Sequence, residues 1–407
     1  MPSKHQSLSL PLLAETKIAT APAPFDVDGR HLNYPGTGLA MVTAELIRAL
    51  AAEPAGRGVR VFLEKDSLHN LAQHELQHLP GEWVVVPHHS RSPDYVDRWY
   101  WSRAVLAAQG RDRRPLFIPY LYNYGRLDAN LVLIPDLVYR QVPDYGGAAP
   151  NQPWWSRRGR LPFRPLVRKW EERRAARAGQ VVVYSRYVGE EVTRYLQVPP
   201  EQQLLIPCGP PHWLTQPADK SALPPGLPAR FVLYCGGYAV RKNVPLLLRA
   251  CQRAAQAESD FRCVFVGLEK IFPEALDNFR FDIAPGVVSL PAVDHPTLAA
   301  LYRACAFVVY PSRAEGFGLP VIEAAACGKI CLCGDNTSLR EVQPEARFRL
   351  PDDNEDAWTA ALLERWRDVA GTAAAGESAK SWAANYTWTE AAQRLLAAAQ
   401  KMPRPKL

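Results

Sequence analysis

The chain has 407 residues, 47% hydrophobic and 22% charged. That is the balance of a globular protein, with too many residues for one typical core, so two domains are expected. No stretch approaches the roughly 18 consecutive apolar residues that cross a bilayer. The segment Met1 to Glu15 lacks the basic-then-apolar plan of a secretory signal. The expectation is a cytoplasmic, non-spanning protein that can sit at the inner face of the cytoplasmic membrane.

From about Phe25, short apolar runs alternate with helical patterns: Val59 to Leu63, Trp83 to Val86, Leu116 to Ile118, Leu131 to Ile134, Val181 to Tyr184 and Leu204 to Ile206. This alternation predicts a parallel sheet covered by helices on both faces. A second series follows at Phe231 to Tyr234, Cys263 to Val266, Val287 to Leu290, Phe307 to Tyr310 and Ile330 to Leu332. Between them, Pro207, Pro210, Pro211, Pro217, Pro224, Pro225 and Pro228 break any continuous helix or strand and read as an interdomain linker. The predicted fold class is α/β, with two Rossmann-like doubly wound domains at residues 1–207 and 208–385. The last helical pattern, Trp388 to Lys401, carries Ala391, Ala392, Leu395, Leu396 and Ala399 on one face and belongs to a tail, 386–407, expected to pack back on the first domain. Two such sheets place a cleft between their strand C-terminal ends, where open α/β sheets bind ligands.

The net charge of +7 is concentrated. Nine Lys or Arg between Arg157 and Arg177, among them Arg157, Arg158, Arg160, Arg164, Arg168 and Lys169, face only Glu171 and Glu172. The run fits an anionic partner such as a membrane surface, a lipid diphosphate or nucleic acid, or else a solvated helix whose long side chains cover apolar neighbours. All eight cysteines lie after residue 200, mostly in apolar runs and without a Cys-x-x-Cys pair. Buried reduced thiols are expected, with no metal site. His69, His74, His78, His88 and His89 read as exposed polar positions.

Two segments carry chemistry. Strand Phe231 to Tyr234 runs into Cys235, Gly236 and Gly237, then Arg241, Lys242 and Asn243 before a helix from Pro245. Glycines after a strand let backbone N–H groups approach an anion, and the basic pair adds two fixed charges, so the segment reads as a diphosphate site. A plain strand-turn-helix with surface basics is the bland alternative. The P-loop pattern is absent, which argues against a nucleoside triphosphatase. The second segment follows strand Phe307 to Tyr310: Pro311, Ser312, Arg313, Ala314, Glu315, Gly316, Phe317, Gly318, Leu319 and Pro320, then a helix over Val321 to Cys327 containing Glu323. Its N–H groups open a helix N-terminus while Glu315 and Glu323 offer carboxylates to hydroxyls, a combination suited to a nucleotide sugar. A dinucleotide-binding oxidoreductase is disfavoured, because the nearest glycine fingerprint, from Gly36 through Gly38, has Met41 in place of its third glycine.

The spacing of Glu315 and Glu323 around Gly-Phe-Gly-Leu-Pro, with Tyr310-Pro311-Ser312 before it and Gly236-Gly237 and Arg241-Lys242-Asn243 upstream, resembles family four of the retaining GT-B glycosyltransferases. Asp28-Gly29-Arg30 and Pro35-Gly36-Thr37-Gly38 ahead of a helix over Leu39 to Leu50 look like that family's N-terminal glycine loop. The resemblance spans about residues 25 to 400. It implies a GT-B fold, with two domains facing each other across a cleft, and a nucleotide-sugar donor clamped by Arg241 and Lys242 without metal or other cofactor. Glu315 would sit beside the donor sugar and Glu323 on the ribose. Gly236 and Gly237 would approach the diphosphate. The N–H groups of Phe317, Gly318 and Leu319 would bind sugar or phosphate oxygens, and main chain near Val293 would edge the base. Gly36, Thr37 and Gly38 would approach from the opposite domain.

The resemblance further implies retaining transfer of a hexose to a glycan or lipid-linked acceptor in bacterial surface polysaccharide synthesis, including lipopolysaccharide, with the style of the Gly36 loop leaning to GDP-mannose. The basic run would then face the acceptor or an anionic membrane, and no nucleic-acid partner is expected. One departure stands out. Family members commonly carry His-Asp where this chain has Pro135-Asp136, which leaves Asp136 as the group available at that position and raises the alternative of a weakly active or non-catalytic nucleotide-sugar-binding subunit.

Overall fold

The computed structural model describes residues 24–34, 36–64, 68–87, 94–142, 164–217, 222–237, 239–268 and 285–402. The first sheet contains β1 (Asp26–Asp28), β2 (Arg60–Glu64), β3 (Glu82–Val86), β4 (Leu116–Ile118), β5 (Leu131–Leu133), β6 (Gln180–Val183) and β7 (Gln203–Leu205), in the order β3-β2-β1-β4-β5-β6-β7. The second contains β8 (Val232–Cys235), β9 (Cys263–Val266), β10 (Val287–Leu290), β11 (Val308–Tyr310), β12 (Cys331–Gly334) and β13 (Arg349–Leu350), in the order β10-β9-β8-β11-β12-β13. Every pairing is parallel. Both sheets are therefore Rossmann-like and doubly wound. The strand order turns back beside β1 in one domain and beside β8 in the other, and such reversals open ligand crevices.

Helices α1 (Gly38–Ala52), α2 (Leu68–Gln73), α3 (Asp94–Gln109), α4 (Arg164–Ala175) and α5 (Arg186–Leu196) belong to the first domain. The linker holds a short α6 (His212–Thr215). The second domain contributes α7 (Val244–Ala257), α8 (His295–Ala304), α9 (Leu319–Ala326), α10 (Leu339–Val342), α11 (Glu355–Arg367) and α12 (Val369–Ala383), and α13 (Trp388–Gln400) closes the described chain. Among the described residues no helix is long and apolar enough to cross a membrane.

Strand β1 escaped the sequence pattern because two of its three residues are acidic, a composition that strands disfavour. Tertiary partners satisfy both acids. Arg60 donates to the buried Asp26 carboxylate from Nε at 2.9 Å and Nη2 at 2.7 Å, and Gln109 adds a third bond at 2.8 Å. Asp28 accepts from Trp101 Nε1 at 2.9 Å and Tyr124 OH at 2.8 Å. Burial still pushes the Asp28 carboxyl above its usual range.

The two domains are joined by packing as well as by the chain. Trp213 of the linker stacks on His295 of α8 with ring centroids 5.0 Å apart. His212 places Nδ1 2.6 Å from Glu45 of α1 and Nε2 3.2 Å from Glu75. Burial opposes charge on His212, but Glu45 outweighs it and the pKa is raised. His74 departs from the exposed position expected of it. It is buried, and its pKa is lowered by desolvation. His69 and His78 are exposed, while His88 and His89 lie outside the described residues.

Helix α13 starts at Thr387, whose hydroxyl accepts from Glu390 N at 3.2 Å. It buries Ala391, Ala392, Leu395, Leu396 and Ala399, the face read from the sequence, and packs on α1. Gln393 reaches Glu53 at 3.0 Å and Arg394 reaches the Leu205 carbonyl at 2.8 Å. The closing helix is thereby docked on the first domain.

The Asp26–Arg60 pair lies under the central strand of the first sheet. Asp26→Ala would leave the buried guanidinium only the exposed Asp112, 3.6 Å away, as counter-charge, and the expected loss is about 3 kcal/mol of unfolding free energy. Chemical denaturation of wild type and variant measures it, and an unchanged midpoint would show the pair to be dispensable.

Candidate functional site

The C-terminal ends of β8 and β11 deliver the two motifs to one place. After β8 the chain passes Gly236, at φ +150°, and Gly237, whose carbonyl accepts from Tyr234 OH at 3.3 Å. A single 3-10 turn, Val240–Lys242, then presents Arg241 and Lys242 ahead of α7. After β11, Ser312 lies beneath that turn. Its hydroxyl donates to the Arg241 carbonyl at 3.1 Å, and Arg313 N donates to the same carbonyl at 2.7 Å. The two loops are thus sewn together by backbone before any charge is considered.

At their centre is Glu315. Its buried Oε1 accepts from Arg241 Nη1, from Lys242 Nζ at 2.9 Å, from Tyr310 OH at 2.6 Å and from Ser312 Oγ at 2.7 Å. Lys242 also hydrogen-bonds the Tyr310 hydroxyl. Burial would raise the Glu315 carboxyl, but the charges of Arg241 and Lys242 outweigh it and hold the pKa at about 2. Lys242 is driven the other way, to about 8, chiefly by burial. The carboxylate expected to offer itself to a sugar hydroxyl is therefore bound to the basic pair. It is the counter-ion that lets two cations sit side by side at a buried position.

The glycine-rich turn is shaped by contact as much as by conformation. Gly318, at φ +108°, is the N-cap of α9, with Leu319 and Pro320 opening the helix. First-turn N–H groups have no intrahelical acceptor, so the start of α9 at Gly318 and Leu319 is a terminus that favours an anion. Gly316 has no room for a side chain. A Cβ there would lie 1.9 Å from the Pro135 carbonyl oxygen and 2.9 Å from the Asp136 Cβ. The Pro135-Asp136 end of β5 thus packs directly on the turn, and burial raises the pKa of Asp136 against the opposing charge of Arg241. The Phe317 side chain is buried between domains, edge-on to Tyr184 at 6.4 Å and to Tyr386 at 5.9 Å. Only its backbone is available to a ligand.

The first domain supplies the opposite wall. Gly36 adopts φ +83°, and Thr37 caps α1 by accepting from Ala40 N at 3.2 Å. Gly38 faces Leu319, whose Cδ1 would lie 3.7 Å from a Cβ added at Gly38. Three further bonds cross between domains: Ser185 Oγ donates to the Gly316 carbonyl at 2.8 Å, and Glu341 accepts from Arg186 N at 2.9 Å and Tyr187 N at 3.3 Å.

On α9, Glu323 accepts from Tyr302 OH of α8 at 2.5 Å. Burial raises its pKa to about 6 even with this hydrogen bond and the charge of Lys242 opposing the rise. The Cys235 thiol is adjacent, raised to about 12 by burial and by the charge of Glu323. Val293 is half-buried in the turn between β10 and α8. All the donor-site residues named from the sequence except Val293 are seen to gather around the β8, β11 and α1 ends. Tyr302, Tyr310 and Ser312 are site residues that the sequence argument did not single out by role. Tyr302 precedes Glu323 by 21 positions on another helix, and no spacing rule connects them.

The basic run behaves differently. Arg157, Arg158 and Arg160 lie outside the described residues, as does the Arg164 side chain. Arg168 stacks on Tyr139 at 3.9 Å, while Lys169 is exposed. All eight cysteines are free thiols, and no three His, Cys, Asp or Glu among the described residues gather as a metal would need.

Two parallel Rossmann-like domains with a glycine loop facing a basic, helix-terminated turn define a GT-B protein. Residues 229–368 match the family model described as glycosyl transferases group 1. The chain is 29% identical over 334 residues to D-inositol 3-phosphate glycosyltransferase 1 of Catenulispora acidiphila, covering 78% of this chain and 72% of that protein. It is 31% identical over 185 residues to O-antigen chain mannosyltransferase B of Escherichia coli, covering 41% of this chain and only 46% of the relative. Among solved structures, a sucrose-phosphate synthase from Thermosynechococcus elongatus superposes with TM-score 0.69 at 20% identity over 93% of this chain and 98% of that one. WaaG, a glycosyltransferase involved in lipopolysaccharide biosynthesis, gives 0.66 at 15% over 93% and 99%. At such identity these two establish the fold. The second domain thus matches the group 1 glycosyltransferases, and the chain as a whole has the GT-B fold.

Replacing Glu315 by Gln removes the counter-ion from Arg241 and Lys242. The variant should lose about 3 kcal/mol or more of stability at neutral pH. The loss should shrink at alkaline pH, where Lys242 sheds its proton. Denaturation midpoints across that range check both statements.

Proposed function

We propose that the chain is a retaining hexosyltransferase that moves a sugar, with GDP-mannose the favoured donor, to a glycan or lipid-linked acceptor in the synthesis of a bacterial surface polysaccharide. The observation that carries this reading is the Arg241–Lys242–Glu315 cluster facing the N-terminus of α9 across from Gly38 and Asp136. A nucleoside diphosphate leaving group develops negative charge on its phosphate. Two fixed cations and a helix terminus stabilise that charge more in the transition state than in the ground state. Arg241 and Lys242 supply the charge that a divalent ion supplies elsewhere, so no metal is required. The mannosyltransferase and inositol phosphate glycosyltransferase relatives support a hexose donor.

In this reading Glu315 changes partners during the cycle. Before the donor arrives it neutralises the basic pair. Once phosphate oxygens take over those cations, the carboxylate is released toward the sugar hydroxyls. Lys242, lowered to about 8 chiefly by burial, gains proton affinity as the diphosphate enters. Glu323 accepts the ribose hydroxyls, held at the required angle by Tyr302. Main chain at Val293 edges the base, and the N–H groups after Gly316 bind sugar and phosphate oxygens. The acceptor attacks from the face the diphosphate leaves, the leaving phosphate takes its proton, and configuration is retained. Asp136 is the group positioned to orient the acceptor or assist its deprotonation.

A second reading rests on one departure. Pro135 occupies the place where the family commonly has a histidine, and its carbonyl is pressed against Gly316. A subunit that binds the nucleotide sugar but turns it over weakly or not at all has the same clamp without the same acceptor side.

A thermal-shift screen of nucleoside diphosphates should show stabilisation by GDP above the other bases, through mass action on the folded state. Incubation with labelled GDP-mannose and lipid-linked acceptors in the presence of a chelator should then give transfer with the anomeric configuration kept. Binding without turnover across a wide acceptor panel would favour the second reading, and no nucleotide binding would defeat both. Arg241→Ala is expected to lower kcat by about 10²-fold or more, the scale of a lost transition-state charge contact.

The ribose contact is testable by pH. A protonated Glu323 accepts fewer hydroxyl bonds, so donor affinity should fall as pH drops through about 6. Tyr302→Phe removes a bond that favours the carboxylate, and the acid limb should move upward in pH, with KM for donor changed more than kcat. Superimposable profiles would remove Tyr302 from the site.

A further inference from the structure

We propose that the outer faces of α3 and α4 form a docking surface for an anionic lipid bilayer, in which aromatic and aliphatic side chains enter the interface and neighbouring cations meet the headgroups. Four large apolar side chains stand out on these two helices: Trp99 at 48% exposed, Tyr100 at 53%, Leu166 at 65% and Trp170 at 48%. Isolated exposed hydrophobics are ordinary, whereas a cluster marks an interaction site. The helices are held side by side by Arg98 Nη1 on Glu171 at 2.6 Å. Along α4, Leu166, Lys169, Trp170 and Arg173 recur at helical spacing and are all exposed, so they share one outward face.

The charge on this surface is one-sided for a structural reason. Both acids of α4 turn inward, Glu171 to Arg98 and Glu172 to Arg140 at 2.5 Å and to the Tyr139 hydroxyl. On α3, Asp97 turns in to Arg30. What α4 leaves outside is Lys169 and Arg173, with Arg177 just beyond its end. Arginines also sit over both indoles: the exposed Arg103 at 4.9 Å from the Trp99 ring, and the half-buried Arg174, whose Nε donates to the Asn123 carbonyl, at 4.8 Å from that of Trp170. Tryptophan and tyrosine beside lysine and arginine is the composition of a membrane interface. A protein partner would need a shaped pocket and counter-charges, whereas a headgroup layer asks only for cations around an apolar wedge.

The placement is useful to a transferase. Each of these helices leads into a strand of a parallel sheet and so runs against it, which sets its N-terminal half at the cleft end. Trp99, Tyr100 and Leu166 lie in those halves, and Trp170 just past the middle of α4. The surface therefore flanks the side of the cleft from which an acceptor enters. Its use for a lipid-linked acceptor rests on the function proposed above; bilayer binding itself does not.

Flotation of the full chain with phosphatidylcholine vesicles, with and without phosphatidylglycerol, tests the proposal without donor or acceptor. Wild type should float with the anionic vesicles and not with the neutral ones, and its tryptophan emission should shift to the blue. The triple variant Trp99→Ser, Leu166→Ser, Trp170→Ser and the charge-reversed Arg103→Glu, Arg173→Glu should each lose binding by about tenfold or more. Both should keep the wild-type thermal response to nucleoside diphosphate, which separates a folding defect, or a failure of the transferase reading, from a failure of this surface. Equal binding by wild type and both variants, flotation with neither vesicle, or preference for duplex RNA over anionic vesicles would overturn it.

Discussion

A buried carboxylate, Glu315, makes it possible for Arg241 and Lys242 to stand together at the mouth of the second sheet. Two cations that close repel one another, and burial together with Arg241 holds Lys242 down at about 8 even with Glu315 opposing the fall. The shared Oε1, supported by Tyr310 and Ser312, restores the balance and is itself held near 2. The site is therefore poised rather than empty of interaction. Its cations are already oriented, and an arriving diphosphate exchanges one anionic partner for another instead of having to organise two long side chains. That preorganisation is where electrostatic catalysis gains most, because the cost of ordering the charges is met during folding.

The same cluster depends on the contact between domains. Gly316 can exist where it does only because it has no Cβ, since the Pro135 carbonyl occupies that space. Ser185 and Glu341 add hydrogen bonds across the boundary, and Phe317 packs between Tyr184 and Tyr386. Trp213 on His295 and α13 on α1 tie the two domains along the linker side. The turn that opens α9 is thus clamped on one side by the first domain and on the other by the Arg241 loop. A change at any of these contacts is felt at the donor site without touching a ligand.

Charge is sorted in the same way on the surface. The run from Arg157 to Arg177 reads as uniformly basic in one dimension. Among its described residues, Arg168 stacks on Tyr139 and both glutamates of α4 are turned inward, which leaves Lys169 and Arg173 exposed on the helix that carries Trp170, and Arg177 exposed just beyond its end. Net charge along a sequence and net charge presented to a partner are different quantities, and the orientation of a few side chains separates them.

The alternation of short apolar runs and helices was enough to read two doubly wound sheets, because a parallel strand buried on both faces must be apolar throughout. The pattern failed at β1, whose acids are tolerated only through Arg60, Gln109, Trp101 and Tyr124, and those partners come from distant parts of the chain. His74 was misread for a similar reason, since its burial comes from tertiary packing that a polar local sequence hides. The glycine turns, the basic pair and the two glutamates were legible because backbone approach to an anion demands those residue types at short spacing. Which carboxylate does what was not legible. Glu315 was expected to face a sugar hydroxyl and is found closing a charge cluster, while Glu323 is set by Tyr302 from another helix. By itself the sequence determined two such domains and the glycine, basic and acidic residues that meet between them. Only the tertiary structure decided how the charges there are paired, because that depends on distances between residues that chain order does not constrain.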